Sequence, residues 1–465
     1  MNFNDIKQVY FLGIGGIGMS AIARYFHTKG KTVMGYDKTE TELTKKLIEE
    51  GIAVHYTDNG NELANIGLNP KTTLIVLTPA IPQSHEEWNW FKQNEFIILK
   101  RSQVLGLITD NHKTIGVAGT HGKTTTSTLL AHILKQSNID CSAFLGGVST
   151  NYNNNLLLQK NQNTTTPMVV EADEFDRSFL TLHPHIGIIT STDADHLDIY
   201  GKHSELLASF AAYAAQIKNT LYVKQELEFY NTIKNKSINA NVKSYSITNK
   251  ADVYADDIRI IGNRYYFNLY LNNIHVEDLY LGIPGLHNVE NAVAASAAAI
   301  ECGVTIEELK IALASFKGVK RRFEYIIDSS ETIYIDDYAH HPTELTAIIS
   351  SVKKMYPSKF LTVIFQPHLY SRTRDFVDGF AESLSLADEI ILLPIYPARE
   401  LPIEGVTSEI VFDKITHSNK LICNKADVIE LLSTKKIELL LTVGAGDIDT
   451  LVQPIKLLLQ KNTSN

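Results

Sequence analysis

The segment Gly119-Thr-His-Gly-Lys-Thr-Thr-Thr126 constrains this chain more than any other. It lies between a short apolar run, Thr114-Ile-Gly-Val-Ala118, and the helical pattern Ser127-Thr-Leu-Leu-Ala-His-Ile-Leu134. A strand, a glycine loop, Lys-Thr and a helix make a device for holding nucleotide phosphates. Small glycines let backbone N–H groups approach the oxyanions, and the helix N-terminus adds its partial positive charge. Lys123 then reaches the terminal phosphates, and the Thr124 hydroxyl sits on Mg²⁺. The spacing departs from the general phosphate-loop pattern, because Val117 stands where a glycine is usual. The competing reading is an ordinary strand-to-helix turn. Lys-Thr at the helix start, where the chemistry needs it, favours phosphate binding.

The chain has 465 residues, enough for about three domains of ~150 residues each. Apolar residues make up 44% and charged residues 20%, as in a soluble globular protein with true cores. A net charge of −9 argues against a nucleic-acid or anionic-membrane partner. Cys141, Cys302 and Cys423 lie far apart without metal spacing, which reads as buried thiols in a reducing compartment. No signal pattern opens the chain and no apolar run reaches ~18 residues, so a cytoplasmic location without membrane insertion is expected.

Three strand-then-glycine openings divide the sequence. The first, Val9-Tyr-Phe-Leu-Gly13, leads into Ile14-Gly-Gly-Ile-Gly-Met19 and a helix of small residues. Strands Thr32-Val-Met-Gly-Tyr36, ending on Asp37, and Thr73-Leu-Ile-Val-Leu77 complete a parallel, nucleotide-binding pattern. This domain is expected over residues 1–112. The central domain, 113–317, has buried strands ending before Gly119, before Glu171-Ala-Asp-Glu174 and before Asp193-Ala-Asp-His196. Parallel strand ends converge on one edge, which would gather Lys123, Glu171 and His196. Asn151–Asn155 and 160–166 read as exposed loop. From Asp252 to Leu281 the alternation becomes period two, an antiparallel hairpin turning at Asn272-Asn273. An alanine-rich helix follows. The third domain, 318–465, repeats strand–helix alternation. The fold class is therefore α/β in three domains: a Rossmann-like N-terminal domain, a central parallel sheet of the phosphate-loop type with an added hairpin, and a Rossmann-like C-terminal domain.

Several constellations carry chemistry, each beside a plainer reading. Glu171-Ala-Asp-Glu-Phe-Asp176 is either a solvated acidic loop or a strand-end carboxylate holding Mg²⁺ opposite Thr124. His196 is either a structural histidine or a ligand for a second divalent ion. His287 and Asn291, one helical turn apart, either cap the helix or read an adenine edge. Lys320-Arg-Arg-Phe-Glu324 is either a basic linker or a phosphate contact. Asp336-Asp-Tyr-Ala-His-His-Pro342 and Gln366-Pro-His-Leu-Tyr-Ser-Arg-Thr373 end adjacent strands and can hold an amino-acid carboxylate. Gly13-x-Gly15-x-x-Gly18 with Asp37 matches a dinucleotide fingerprint. Its alternative use is to hold the pyrophosphate of a nucleotide-linked substrate.

Taken in this order, and with Gly444-Ala-Gly-Asp447, these motifs resemble the Mur ligase family over essentially the whole chain. The resemblance implies an ATP- and Mg²⁺-dependent enzyme joining L-alanine to the lactyl carboxylate of UDP-N-acetylmuramate through an acyl phosphate. It implies ATP contacts at Gly119, Thr120, His121, Gly122, Lys123, Thr124, Thr125, His287, Asn291 and Arg322. It places the sugar nucleotide on Gly13, Gly15, Gly16, Gly18 and Asp37, and the amino acid on Tyr338, His340, His368 and Arg372. Metals fall to Thr124, Glu171 and His196; the catalytic set is Lys123, His196, Arg322 and His340. A histidine is a plausible acceptor of the amine proton, although the sequence does not choose one. A monomer or weak homodimer is expected, with hinges near 112 and 317. Leu369 stands where the family usually has Arg, leaving Arg372 as the expected anion contact. Phe175 and Arg399 replace a common Ser and Gly. Residues 205–216 contain no lysine, so no carbamylated lysine is expected there. The rivals are a ligase attaching a ready-made tripeptide to the same sugar nucleotide, an NAD-dependent oxidoreductase, and a non-enzymatic nucleotide-binding regulator.

Overall fold

The computed structural model describes residue 3 and residues 5–110, 112–160, 165–195, 197–262, 264–398 and 400–462. His196 and Arg399, which figure in the sequence reading, lie outside the described residues. The chain divides into two compact units. The first comprises residues 1–256, 269–276 and 291–313; the second comprises 257–268, 277–290 and 314–465.

The first sheet has the order Ala53–His55, Thr32–Tyr36, Gln8–Leu12, Thr73–Leu77, Ile97–Lys100, and every pairing is parallel. The order reverses beside Gln8–Leu12, and the glycine loop 13–16 leaves from that point, where open sheets bind ligands. Alternation along Gln8–Leu12 sorts its two faces. Val9 and Phe11 pack with Ile22 and Phe26 of the helix Ile17–Thr28, while Tyr10 and Leu12 pack with Phe91.

The second sheet has ten strands, ordered Ile274–Leu281, Arg264–Leu271, Val253–Ile261, Asn241–Ser246, Thr220–Lys224, Ile186–Ile189, Lys113–Ala118, Pro167–Glu171, Ser142–Ser149, Asn154–Leu157. Lys113–Ala118, the strand before the phosphate loop, lies between Ile186–Ile189 and Pro167–Glu171, parallel to both. Two expectations change here. The stretch 151–155 is not simply exposed loop, because its last two residues begin a strand that pairs antiparallel with Ser142–Ser149. Asn155 is fully buried there and donates to Ile17 O at 2.6 Å and Ser20 Oγ at 3.0 Å, while accepting from Arg24 at 2.6 Å. These bonds satisfy carbonyl and hydroxyl groups that burial would otherwise penalise. The period-two region also has three strands rather than two, because Val253–Ile261 joins the predicted pair.

The third sheet runs Glu324–Asp328, Ile333–Asp337, Leu439–Val443, Leu361–Phe365, Glu389–Leu392, Lys420–Ile422. Only the first pairing is antiparallel. Near-continuous apolar strands such as Leu439–Val443 are buried on both faces, as a parallel sheet under helices requires. Of the cysteines, Cys141 is buried, but Cys302 and Cys423 are only half-buried. No helix among the described residues is long and apolar enough to cross a membrane.

Candidate active site

In the first unit the phosphate loop is held by the strand end beside it. The Thr120 hydroxyl lies 2.7 Å from Ser191 Oγ, and the His121 amide donates to the same oxygen at 2.7 Å. Thr190 Oγ1 donates to the carbonyls of Ala118, at 3.1 Å, and His121. The Asp193 amide donates to Thr120 Oγ1 at 3.1 Å. Two glycines are sterically required. Gly119 (φ +141°) would drive a Cβ into Thr190. Gly122 (φ +81°) caps the helix Lys123–Gln136, where a Cβ would come 2.8 Å from Asn291 Oδ1. Only glycine adopts such backbone angles without strain. Asn291 Oδ1 also accepts from Thr126 Oγ1 at 3.1 Å, which brings the alanine-rich helix against the loop. Thr124 and Thr125 are buried in the first turn.

The acidic run Glu171–Asp176 divides into distinct roles. Glu174, fully buried, pairs with Lys123, its oxygens 2.8 and 2.9 Å from Nζ. Lys123 also donates to Gly119 O at 2.6 Å and to Thr120 O at 3.4 Å. Burial works against its charge, but Glu174, Glu171 and Asp173 outweigh burial and push the ammonium pKa up. Asp173 pairs with Arg101 at 3.1 Å and Asp176 with Lys100 at 3.3 Å. Glu171 lies against Gly146, and a Cβ there would overlap its carboxylate. Register places Glu171 beside Val117 of the phosphate-loop strand. Thr190–Asp193 thus meets the phosphate loop and Glu171 acts electrostatically on Lys123; the expected third member of this group, His196, lies outside the described residues.

At the N-terminal glycine loop, Asp37 accepts from the amides of Gly15 at 2.7 Å and Thr39 at 3.2 Å. The amides of Gly13 and Ile14 donate to Tyr36 O. Gly16 caps the helix Ile17–Thr28 in extended backbone, and Gly18 follows in its first turn. A Cβ on Gly18 would come 2.8 Å from the Arg101 guanidinium, so Arg101 links this helix start to Asp173.

In the second unit the ends of three adjacent strands carry the remaining candidates. The two neighbouring arginines do different things. Arg321 donates to Asp336 at 3.2 Å and to Gly444 O at 2.6 Å, a structural pairing. Burial drives the Asp336 carboxyl up to about 7, against the pull of Arg321. Both guanidinium groups lie 5.1 Å over the Tyr338 ring, but Arg322 faces Glu344, at 3.7 Å. Asp337 accepts from the amides of Phe323 at 2.7 Å and Ala339 at 2.8 Å, and these bonds shape the turn. His287 is held down to about 4 by burial first and Arg322 second, so its imidazole is neutral at pH 7.

His340 lies at a ring distance of 6.0 Å from His368, which stacks on Tyr396 at 5.8 Å. The segments carrying His368 and Tyr396 are bridged, with the Leu369 amide donating to Tyr396 O at 3.0 Å. Leu369 is buried at φ +72°, and Arg372 is buried in the short helix Tyr370–Asp375. Gln366 fixes the Gly444–Asp447 turn by donating to Asp447 at 2.8 Å and accepting from the Ile448 amide at 2.9 Å.

Sequence reading missed Glu174 as the lysine's partner, together with Arg101, Ser191, Glu344 and Tyr396. Only Glu344 carried a local signal: an acidic residue in the first turn of a helix opened by Pro342.

Three family models match the chain: Mur ligase family, catalytic domain (residues 8–113), Mur ligase middle domain (117–299) and Mur ligase, glutamate ligase domain (321–447). The chain is 49% identical to UDP-N-acetylmuramate–L-alanine ligase of Phocaeicola vulgatus, over 99% of this chain and 100% of that one. Among solved structures it is similar to UDP-N-acetylmuramate–alanine ligase from Thermotoga maritima. The TM-score is 0.81 at 26% identity, covering 98% of this chain and 99% of that one. A murein peptide ligase from Psychrobacter arcticus shares the fold, with TM-score 0.71 at 24% identity, covering 97% and 98%. With models running from residue 8 to 447 and a relative this similar over its full length, the chain belongs to the Mur ligase family.

Proposed function

We infer that this protein is an ATP-dependent ligase joining L-alanine to the lactyl carboxylate of UDP-N-acetylmuramate, with release of ADP and phosphate in peptidoglycan synthesis. One observation carries the substrate assignment: 49% identity, from end to end, to an L-alanine ligase of that sugar nucleotide. The tripeptide-adding alternative is not favoured, since the relative matched end to end at this identity is an L-alanine ligase.

The geometry supports the phosphoryl-transfer half of this chemistry. ATP turns the lactyl carboxylate into an acyl phosphate, from which the amine displaces phosphate, a good leaving group, as the amide forms. The reaction brings anions together, and fixed cations and N–H groups must stabilise the charge that develops. Gly119–Thr125 supplies loop amides and Lys123, and His287, Asn291 and Arg322 complete the nucleotide contacts. The loop Gly13–Gly18 and Asp37 take the sugar nucleotide. Tyr338, His340, His368 and Arg372 take L-alanine; Arg372 is the anion contact in place of the usual Arg at 369.

The residues present fit Mg²⁺. Thr124 and Glu171 offer the oxygen donors that a hard cation prefers, and glycine at 146 leaves room for the Glu171 carboxylate. His196 is the expected further ligand. When bound, Mg²⁺ neutralises charge between the phosphate oxygens. The functional division is 1–112, 113–317 and 318–465, and the protein acts in the cytoplasm as a monomer or weak homodimer.

An amino-acid panel in an ATP-dependent ligation assay tests the reading. Phosphate release is expected with L-alanine and UDP-N-acetylmuramate together, and to be lost in Lys123→Ala. Turnover with tripeptide alone would overturn the assignment.

A further inference from the structure

In the first unit the helix Arg101–Thr109 follows the strand Ile97–Lys100 and packs on the acidic run beside Lys123. Three consecutive residues, 100–102, are tied there. Lys100 pairs with Asp176 at 3.3 Å, Arg101 pairs with Asp173 at 3.1 Å, and the Thr181 hydroxyl donates to Ser102 O at 2.9 Å. Gly106 lies against the same segment, where a Cβ would come 2.5 Å from Thr181 O. Resting on the ligase reading above, we propose that Arg101 binds the pyrophosphate of the sugar nucleotide and, through Asp173, couples its binding to that of ATP.

The Arg101 guanidinium sits at the first turn of the helix Ile17–Thr28. A Cβ at position 18 would come 2.8 Å from Nη1 and 3.4 Å from Cζ, so glycine there admits the side chain. A cation beside a helix N-terminus is disfavoured, since both carry positive charge. That first turn contains no acidic residue. Phosphates seated on the glycine loop relieve the repulsion from both sides. Among the described residues, Asp173 is the hydrogen-bond partner of the guanidinium, through Nη2. Nη1, on the Gly18 side, then serves a phosphate oxygen. One planar fork can hold carboxylate and phosphate together, as a single ammonium cannot.

Asp173 carries the effect onward. Its Oδ1 accepts the Phe175 amide at 3.1 Å, and its carbonyl accepts the Phe179 amide at 2.8 Å. Within the turn so closed, Asp176 and Arg177 are both left-handed, at φ +51° and +55°. Non-glycine residues keep such angles only where neighbours hold them, and the ties to Lys100 and Arg101 do so here. Glu174, in the same turn, pairs with Lys123 at 2.8 Å. A phosphate that fixes Arg101 therefore also orders the turn that places Lys123. Ordering done for one substrate is not repeated for the other. By linkage, each raises the affinity of the other by the same factor.

Calorimetric titration of UDP-N-acetylmuramate and of a non-hydrolysable ATP analogue, each alone and with the other saturating, tests both halves. In wild type each ligand should tighten the other about tenfold. Arg101→Met should bind the sugar nucleotide about 10- to 100-fold more weakly, the worth of a charged hydrogen bond, and bind the analogue alone as wild type does. Asp173→Asn should bind the sugar nucleotide alone as wild type does and lose the coupling. Arg101→Lys should recover part of the affinity without the coupling. A side chain that served only packing would instead weaken both ligands together and leave the coupling factor unchanged. Wild-type affinity for the sugar nucleotide in Arg101→Met would overturn the contact. Full coupling in Asp173→Asn, or none in wild type, would overturn the link. Should Arg101→Met not fold by circular dichroism, full affinity and coupling in Arg101→Lys would overturn the proposal equally. If wild type bound neither ligand, the ligase reading itself would fail instead.

Discussion

The Lys123–Glu174 pair sets up a prediction whose size follows from the structure. Glu174 is fully buried and the Lys123 side chain is only 13% exposed. At 2.8 Å their gross attraction is about 6 kcal/mol for an effective dielectric near 20. Removing one member of such a pair usually costs about 3–5 kcal/mol, because the other charge is left in a poor environment. Lys123 keeps Gly119 O at 2.6 Å and the field of Glu171 and Asp173. Glu174→Gln should therefore fall at the lower end, about 3 kcal/mol. For a unit of this size that is a melting temperature lower by about 6 °C.

The assay is thermal unfolding of Glu174→Gln, Lys123→Met and the double variant, with and without ATP. The double should lose less than the sum of the singles, a coupling of about 2 kcal/mol. ATP should stabilise Glu174→Gln more than wild type, because the phosphates no longer compete with a carboxylate for the ammonium. A Glu174→Gln protein melting with wild type, or strictly additive losses, would refute the pairing argument. An equal ATP shift would refute the competition.

Three other outcomes are expected. Gly122→Ala forces a Cβ onto φ +81° and toward Asn291; ATP-dependent phosphate release should drop about 10²-fold in a protein still folded by circular dichroism. Arg321→Met strands Asp336 and the Gly444 carbonyl, so it should cost about 2–3 kcal/mol in denaturant titration; Arg322→Met should abolish turnover. Burial holds the His132 imidazole down to about 4, partly opposed by its bond to the Ala312 carbonyl. Its folded pKa lies below the ordinary 6.5, so its contribution is complete above that value and disappears as pH falls toward 4. Comparing wild type with His132→Gln across that window should reveal up to about 3 kcal/mol of extra acid sensitivity in wild type.

How far the site was legible in sequence depends on how local each signal is. Strands such as Thr73–Leu77 and Leu439–Val443 were readable to the residue because a strand buried on both faces is a near-continuous apolar run. Parallel topology then predicted that Glu171 and the 190–193 strand end would meet the phosphate loop. Asn155 could not be read: a polar residue in an asparagine-rich stretch looks like loop until its partners, Arg24 and Ile17 O, arrive from far along the chain. The same limit separates Glu171 from Glu174. Both are acids after one strand, and only the turn at 172–174 sends one toward Gly146 and the other to Lys123. Leu369 makes the case from the opposite side. Its departure from the usual Arg was plain in sequence, but its left-handed backbone and buried side chain were not. That backbone is held by the amide bond to Tyr396 O, and about 1–2 kcal/mol of strain can persist only where neighbours over-determine it. The strain belongs to the bridge that seats His368 beside His340. Sequence motifs thus named the reactive groups, while long-range contacts decide which of two similar groups is poised to react.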